Sequence, residues 1–203
     1  KGHTVGMTST GGVYINDTCI MKGDTTGYKS ARMILTDKRV DAAVLETARG
    51  GIVSRGLGYD LADVGIITNI SEDHLGLDGI NTFDDLAHVK ALVVEAVKDS
   101  GYAVLNADDK YCVEVGDRLN KKIIYFSTSF SNPIIQKQIA GGGKAVYIRD
   151  WYIYIFDGRE ELKLMHIWDI PATLKGTISY NVKNSLSAIA GAYGLGVEPT
   201  FIV

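Results

Sequence analysis

The chain has 203 residues, 46% hydrophobic and 22% charged, with 24 acidic against 21 basic side chains and a net charge of −3. Apolar residues suffice for one substantial core, and the composition excludes a disordered, collagen-like or disulfide-scaffold chain. No apolar run approaches the ~20 residues of a bilayer span, no leader is legible, and the basic residues form no phosphate-tracking stripe, so a cytoplasmic protein with no membrane or nucleic acid as partner is expected.

In chain order, the pattern predicts a strand at 3–8, an antiparallel pair near 13–20 after the Gly11-Gly12 turn, a helix at 29–35, and strands at 41–47 and 64–70. A helix at 82–98, a strand at 102–106, a helix at 110–119 and a strand at 122–127 follow. Several of these strands are apolar on both faces, as covered parallel strands are. Strands at 144–149, 151–156 and 162–167 are separated only by Asp150 and by Asp157-Gly158-Arg159, so 144–168 reads as an antiparallel hairpin ribbon. A last helix over 181–195 is rich in Ala, Ser and Gly, which lets a neighbour pack close. The expected fold is one α/β domain over 1–203, a mostly parallel, doubly wound sheet with the ribbon added. Cys19 and Cys112 lie far apart in no metal or redox spacing and read as idle thiols.

Ligands of an open parallel sheet gather beyond the carboxyl ends of its strands. Glu46 ends one predicted strand and is followed by Arg49-Gly50-Gly51; a strand-end carboxylate suits Mg²⁺, and glycines let backbone N–H groups approach an anion. A Glu–Arg ion pair at a loop mouth is the plainer alternative. The run Asn69-Ile70-Ser71-Glu72-Asp73-His74 is expected to deliver Asn69, Asp73 and His74 to the same rim, beside Glu46. On a helical wheel of about 100° per residue, Lys90 falls within the apolar stripe of Phe83, Leu86, Ala87, Val94 and Val97. It must snorkel, find a counter-ion or lose its proton, and a neutral amine can take up CO₂ as an anionic carbamate. His88 lies on the wet side with Asp84. Asn106 and two aspartates end another strand, Asp108 being the expected N-cap of the next helix. Asn181 and Asn184 open the last helix, and a side-chain amide, donor and acceptor together, suits an adenine edge.

These segments resemble the central ATP-binding domain of the Mur ligase superfamily over nearly the whole chain. The stretches that carry the resemblance are Val5-Gly6-Met7-Thr8-Ser9-Thr10-Gly11-Gly12, Gly23-Asp24-Thr25-Thr26-Gly27, Leu45-Glu46-Thr47-Ala48-Arg49-Gly50-Gly51, Asn69 to Gly76, Leu105 to Asp109 and Ile170 to Asn184. The Thr-Ala-Arg-Gly-Gly run after Glu46 is similar to the cyanophycin-forming branch. The resemblance implies an ATP-dependent amide ligase that phosphorylates a carboxylate and lets an amine attack the acyl phosphate. In that branch arginine is joined to the side-chain carboxylates of an aspartate polymer. Carried over by position, Glu46 would hold one Mg²⁺ between the β- and γ-phosphates, and His74 with a carbamylated Lys90 a second. Asn184 would meet the adenine, with Asn181 and Asn106 as further nucleotide positions. Asp24, Thr25, Thr26, Arg49 and Arg55 are candidates for acceptor binding, and a homo-oligomer is expected.

The chain departs from that pattern in three places. It contains no Gly-x-x-x-x-Gly-Lys-Thr/Ser run, which the family carries shortly upstream of the Val5 strand; the family's C-terminal ligase domain would begin where the chain halts; and Tyr180 stands where many relatives carry histidine. The reading is therefore of a piece cut from a longer enzyme and inactive alone, with another Mur-type amino-acid ligase, a non-catalytic nucleotide-binding domain, or a metallohydrolase on Glu46, Asp73 and His74 as the competing functions.

Overall fold

The computed structural model describes residues 2–71, 76 and 80–202. They divide into two compact units, one of Lys1–Asp60 with Leu75–Thr82 and one of Leu61–His74 with Phe83–Val203.

The first unit is built on a four-stranded sheet. Strands β1 (Val5–Ser9), β2 (Gly12–Ile15) and β3 (Thr18–Lys22) run antiparallel, and helix α1 (Tyr28–Thr36) leads to β4 (Ala42–Leu45), which pairs parallel with β1. Val13, Ile15 and Ile34 form its small core, with Val40 and Leu45 packed against them. Gly6 is what lets α1 approach β1, since a Cβ there would stand 2.6 Å from Ile34 Cγ2. Helix α2 (Arg49–Arg55) was not foreseen, because two glycines in seven residues argue against a helix. Gly51 gives one physical reason it forms: a Cβ there would be 3.3 Å from Gly27 Cα, so only a bare backbone lets α2 lie against the 26–27 turn.

The second unit holds a six-stranded sheet in the order β10-β9-β8-β7-β6-β5. Strands β5 (Ala62–Ile67), β6 (Val97–Asn106), β7 (Ile123–Ser127) and β8 (Ala145–Arg149) are parallel. Strands β9 (Tyr152–Phe156) and β10 (Glu161–His166) add the antiparallel ribbon that the spacing predicts. Helices α3 (Phe83–Glu95), α4 (Lys110–Arg118) and α5 (Pro133–Ala140) join the parallel strands, and α6 (Ser179–Gly194) packs on β5 to β8. Val104, Ile124, Phe126 and Val146 from the sheet meet Val182, Leu186, Ile189 and Ala190 of α6 in the main core. Gly191 seats α6 against β5, where a Cβ would lie 2.7 Å from Ile66 Cδ1.

The doubly wound α/β expectation therefore holds, with three corrections. Strand β4 pairs with β1 and strand β5 with β6, in two different sheets, so the strands of Glu46 and Asn69 do not end on one common sheet rim. Periodicity identifies strands but not their partners. Helix α3 stops at Glu95, and Val97 and Lys98 already belong to β6, so Val97 is buried in the sheet and not on the helix stripe. Helix α5 was not foreseen either, although Asn132 caps it through Ile134 N (2.8 Å) and Pro133 stands at its first position, a recognised opening signal.

Close backbone packing makes a sharp prediction. A Cβ on Gly65 would collide with the Val93 carbonyl oxygen of α3 and stand 2.9 Å from Val97 Cγ2, whereas around Gly50 there is open space within helix α2. Gly65→Ala is expected to lower stability by about 1–3 kcal/mol, and Gly50→Ala to raise it by up to about 1 kcal/mol, both read from urea midpoints.

Candidate active site

In the first unit, polar groups collect at the ends of β1 and β4. Exposed Glu46 directly follows β4; its N–H donates to Thr8 O (3.0 Å) and its carboxylate accepts the Thr10 N–H (3.0 Å). The backbone thus orients the carboxylate. Asp24 accepts from the Thr26 hydroxyl (2.7 Å) and N–H (3.1 Å), which together hold its carboxyl below the usual carboxylate range. Thr25 is buried, donating to Ser9 O at 2.7 Å and accepting Ser9 N–H at 3.2 Å, so it shapes the loop from inside. Arg49 opens α2 half-buried, and Arg55 closes it exposed.

In the second unit the rim is formed by the C-terminal ends of β5, β6 and β7. Leu86, Ala87, Ala91 and Val94 are the buried face of α3. Half-buried Lys90 lies beside them and snorkels to the end of β5, where its Nζ donates to Asn69 O at 3.0 Å. Asp73 and His74 lie outside the described residues.

Asn106 is 1% exposed, and both ends of its amide are engaged: Nδ2 donates to Thr68 O and Oδ1 accepts Asp108 N–H, each at 2.9 Å. The N-cap of α4 falls on Asp109 and not on Asp108. Asp109 accepts from Tyr111 N (2.9 Å) and Cys112 N (3.1 Å) with one oxygen and from Ile70 N (2.9 Å) with the other, tying β5 to α4. Cys112 lies buried nearby, its thiol pushed up to about 12 by burial first and by Asp109 next, as an idle thiol should be.

Asp108 turns instead to the end of β7. It accepts from Ser127 Oγ (2.5 Å), Thr128 N (2.9 Å), Thr128 Oγ1 (2.7 Å) and Asn132 Nδ2 (3.0 Å). Partial burial pushes its carboxyl up, but these donors outweigh it and hold the group below its ordinary range. The polar Ser127-Thr128-Ser129 run after an apolar strand is the signal that could have revealed this partner. Ionised Asp108 therefore contributes stability above the unfolded carboxyl value of about 3.9, which is lost as pH falls through the lower folded value. Asp108→Asn is expected to cost about 1–2 kcal/mol at neutral pH, a figure kept low because the residue is exposed. Urea midpoints of variant and wild type should converge as the pH drops from about 5 to about 2.

At α6, the N-cap position is Ile178, which supplies no side-chain cap. Asn181 Nδ2 donates to Ala172 O at 2.6 Å, whereas Asn184, one turn further, is exposed and its amide has no hydrogen bond among the described residues. Of the two, Asn184 is the one open to a ligand. A cavity of about 480 Å³ lies elsewhere, between α3 and α4 beside His88, Glu95, Arg118 and Lys121, at the amino-terminal ends of β6 and β7.

A mostly parallel sheet covered on both faces, with its polar side chains gathered beyond the strand ends, defines a doubly wound α/β ligand-binding domain. The chain belongs to the Mur ligase middle domain family, whose model matches residues 2–192. It is 45% identical to a cyanophycin synthetase of Synechocystis sp. over 199 residues, 97% of this chain and 23% of that protein. It is 42% identical to a cyanophycin synthetase of Geminocystis herdmanii, over 97% of this chain and 22% of that one. A UDP-N-acetylmuramoylalanine--D-glutamate ligase of Koribacter versatilis is 31% identical over 68% of the chain. The chain thus spans less than a quarter of the cyanophycin synthetases it matches. Among solved structures, a UDP-N-acetylmuramoyl-L-alanyl-D-glutamate--2,6-diaminopimelate ligase superposes with a TM-score of 0.65 at 16% identity, covering 99% of this chain and 39% of that one, a likeness of fold.

Proposed function

We propose that the chain is the ATP-handling part of an amide ligase that joins arginine to the side-chain carboxylates of a poly-aspartate backbone. The observation that carries the reading is Lys90, a lysine beside the buried face of α3 whose Nζ is held 3.0 Å from Asn69 O at the end of β5. The identity of 42–45% to cyanophycin synthetases supports the substrate assignment.

Two overall steps follow. A carboxylate oxygen of the polymer takes the γ-phosphoryl group of ATP and ADP leaves; the amine nitrogen of arginine then attacks the acyl carbon, phosphate leaves and the amine gives up a proton. Two Mg²⁺ ions are assigned, one to Glu46 and a second to Lys90 as its carbamate, and each donor suits that ion. Glu46 is an exposed hard oxygen donor with one orienting backbone contact. Lys90 as a carbamate would keep one N–H for Asn69 O while gaining anionic oxygens. Among the described residues no three His, Cys, Asp or Glu side chains are grouped to hold a metal, and Mg²⁺ usually takes only one or two carboxylates, completing its shell with water and phosphate. Such ions, when bound, would neutralise charge on the transferring phosphoryl group. His74 is assigned with Lys90, Asn184 to the adenine edge, and Asp24, Arg49 and Arg55 to the acceptor, with Thr25 and Thr26 holding their loop. Asn106 and Asn181, whose amides are engaged with the backbone, are assigned to support the nucleotide site. No helix among the described residues is long and apolar enough to cross a membrane, and the reading places the protein in the cytoplasm.

The test is phosphate release by the complete protein with Mg-ATP. Release that requires both arginine and the aspartate polymer supports the reading; turnover with another amino acid and acceptor moves the chain to another ligase branch, and nucleotide binding with no turnover makes it a non-catalytic domain.

A further inference from the structure

The chain has two tryptophans, and both are exposed at one place in the second unit. Trp151, 58% exposed, stands in the turn between β8 and β9; Trp168, 54% exposed, follows β10; their rings are 6.4 Å apart. His166 packs edge-on to Trp168 at 4.9 Å and to Tyr152 at 4.7 Å, and accepts the Trp168 N–H on Nδ1. Backbone strain concentrates in the same place. Of five non-glycine residues with positive φ among those described, four are Asp150, Trp151, Leu174 and Lys175. The 174–176 turn lies against the turn of β8 and β9, since a Cβ on Gly176 would be 3.7 Å from Trp151 Cζ3. Bulky residues hold this conformation at a cost, and such strain gathers where a site needs it.

The chemistry is that of a cation receptor. Lys163 Nζ already sits 3.3 Å from the centroid of the Tyr152 ring in the same cluster. Asp150 precedes Trp151 and Asp169 follows Trp168; both are exposed, and neither carboxylate has a hydrogen bond or ion pair among the described residues. An exposed indole and a free carboxylate on the adjacent residue together match a guanidinium, which stacks through its plane and pairs through its N–H fork. Because β8 is parallel to β5, the turn after it lies on the same C-terminal rim as the strand end that holds Lys90, three strand spacings away. At about 4.8 Å per strand that is roughly 14 Å, or about four residues of an extended chain.

We propose that Trp151, Trp168, Asp150 and Asp169 form a platform that holds guanidinium groups already attached to the polymer, about four residues behind the reacting carboxylate. The proposal rests on the ligase reading for its occupant. A single exposed cation–π contact is weak, so free arginine is a poor ligand and a chain bearing many guanidinium groups a good one.

The test labels the complete protein with 5-fluorotryptophan and assigns the two signals by their loss in Trp151→Phe and Trp168→Phe. Both signals should shift with arginine-bearing aspartate polymer at a concentration at least about tenfold below that needed with free arginine, and should not respond to poly-aspartate. The Trp151→Ala/Trp168→Ala pair should raise KM for the arginine-bearing polymer about tenfold, with kcat and KM for ATP unchanged, and the corresponding Phe pair should stay near wild type. Asp150→Asn/Asp169→Asn, which leaves the packing intact, should raise it about threefold and decides the matter if the alanine pair does not fold. Signals that ignore the polymer, or answer poly-aspartate equally, or an unchanged KM in the aspartate pair, overturn the platform. Absence of arginine-dependent phosphate release in the unsubstituted protein removes the ligase reading instead, while the fluorine signals still decide the platform.

Discussion

Lys90→Ala is expected to lower arginine-dependent phosphate release by the complete protein about 100-fold or more, the usual consequence of deleting a preorganised group aimed at transition-state charge. The loss should fall on kcat, because the group acts where charge develops during transfer, and KM for arginine should move little. Stability should change by about 1–2 kcal/mol, part of it from the lost bond to the carbonyl of Asn69 at an exposed strand end. Two further variants separate a carbamate from a plain ammonium. Lys90→Arg keeps a cation that can reach Asn69 O but cannot take up CO₂, so it should stay inactive. Lys90→Ala supplied with a short carboxylate such as formate should recover part of its rate, because the small acid can occupy the place of the lost carbamate. Full activity in Lys90→Ala would remove the residue from the chemistry and leave it a snorkelling lysine.

Much of this arrangement is written locally in the chain. The parallel strands, the ribbon and the last helix follow from runs of apolar residues and their punctuation, because burial on one or both faces forces those patterns. Lys90 stands out for the same reason: a charged residue among Leu86, Ala87 and Val94 conflicts with its helix, and the conflict is resolved at the rim. What the chain conceals is pairing and hydrogen bonding at long range. Strands β4 and β5 look alike in sequence, yet each takes a different partner. Asp108 and Asp109 are adjacent and chemically equal, and only the approach of β7 on one side and of Ile70 on the other decides which of them caps α4. Helix α2 depends on how closely Gly51 meets Gly27, a contact no local propensity contains.

The clearest separation of a ligand contact from a positioning role lies at Asn106. Asn106→Asp is nearly isosteric, and one oxygen of the new carboxylate can still accept the Asp108 N–H. The other oxygen faces Thr68 O, 2.9 Å from the nitrogen it replaces, in a place 1% exposed. A donor is lost, an acceptor is set against an acceptor, and a charge is buried beside Asp108 and Asp109. The expected cost at neutral pH is about 3 kcal/mol, which in a chain of this length is a fall of about 10 °C in Tm. Burial, with only the Asp108 N–H as donor and the Thr68 carbonyl set against the other oxygen, raises the folded pKa of the substituted carboxyl above the unfolded value of about 3.9. The penalty is therefore full above that raised value and shrinks as pH falls towards about 4, where the protonated group can again donate to Thr68 O. Thermal melts of variant and wild type across this range should show the gap in Tm closing on acidification. Were Asn106 instead a direct nucleotide contact with no part in the fold, the melts would coincide and only KM for ATP would move; with both ends of its amide bonded to the backbone, the structure requires the melting temperature to respond.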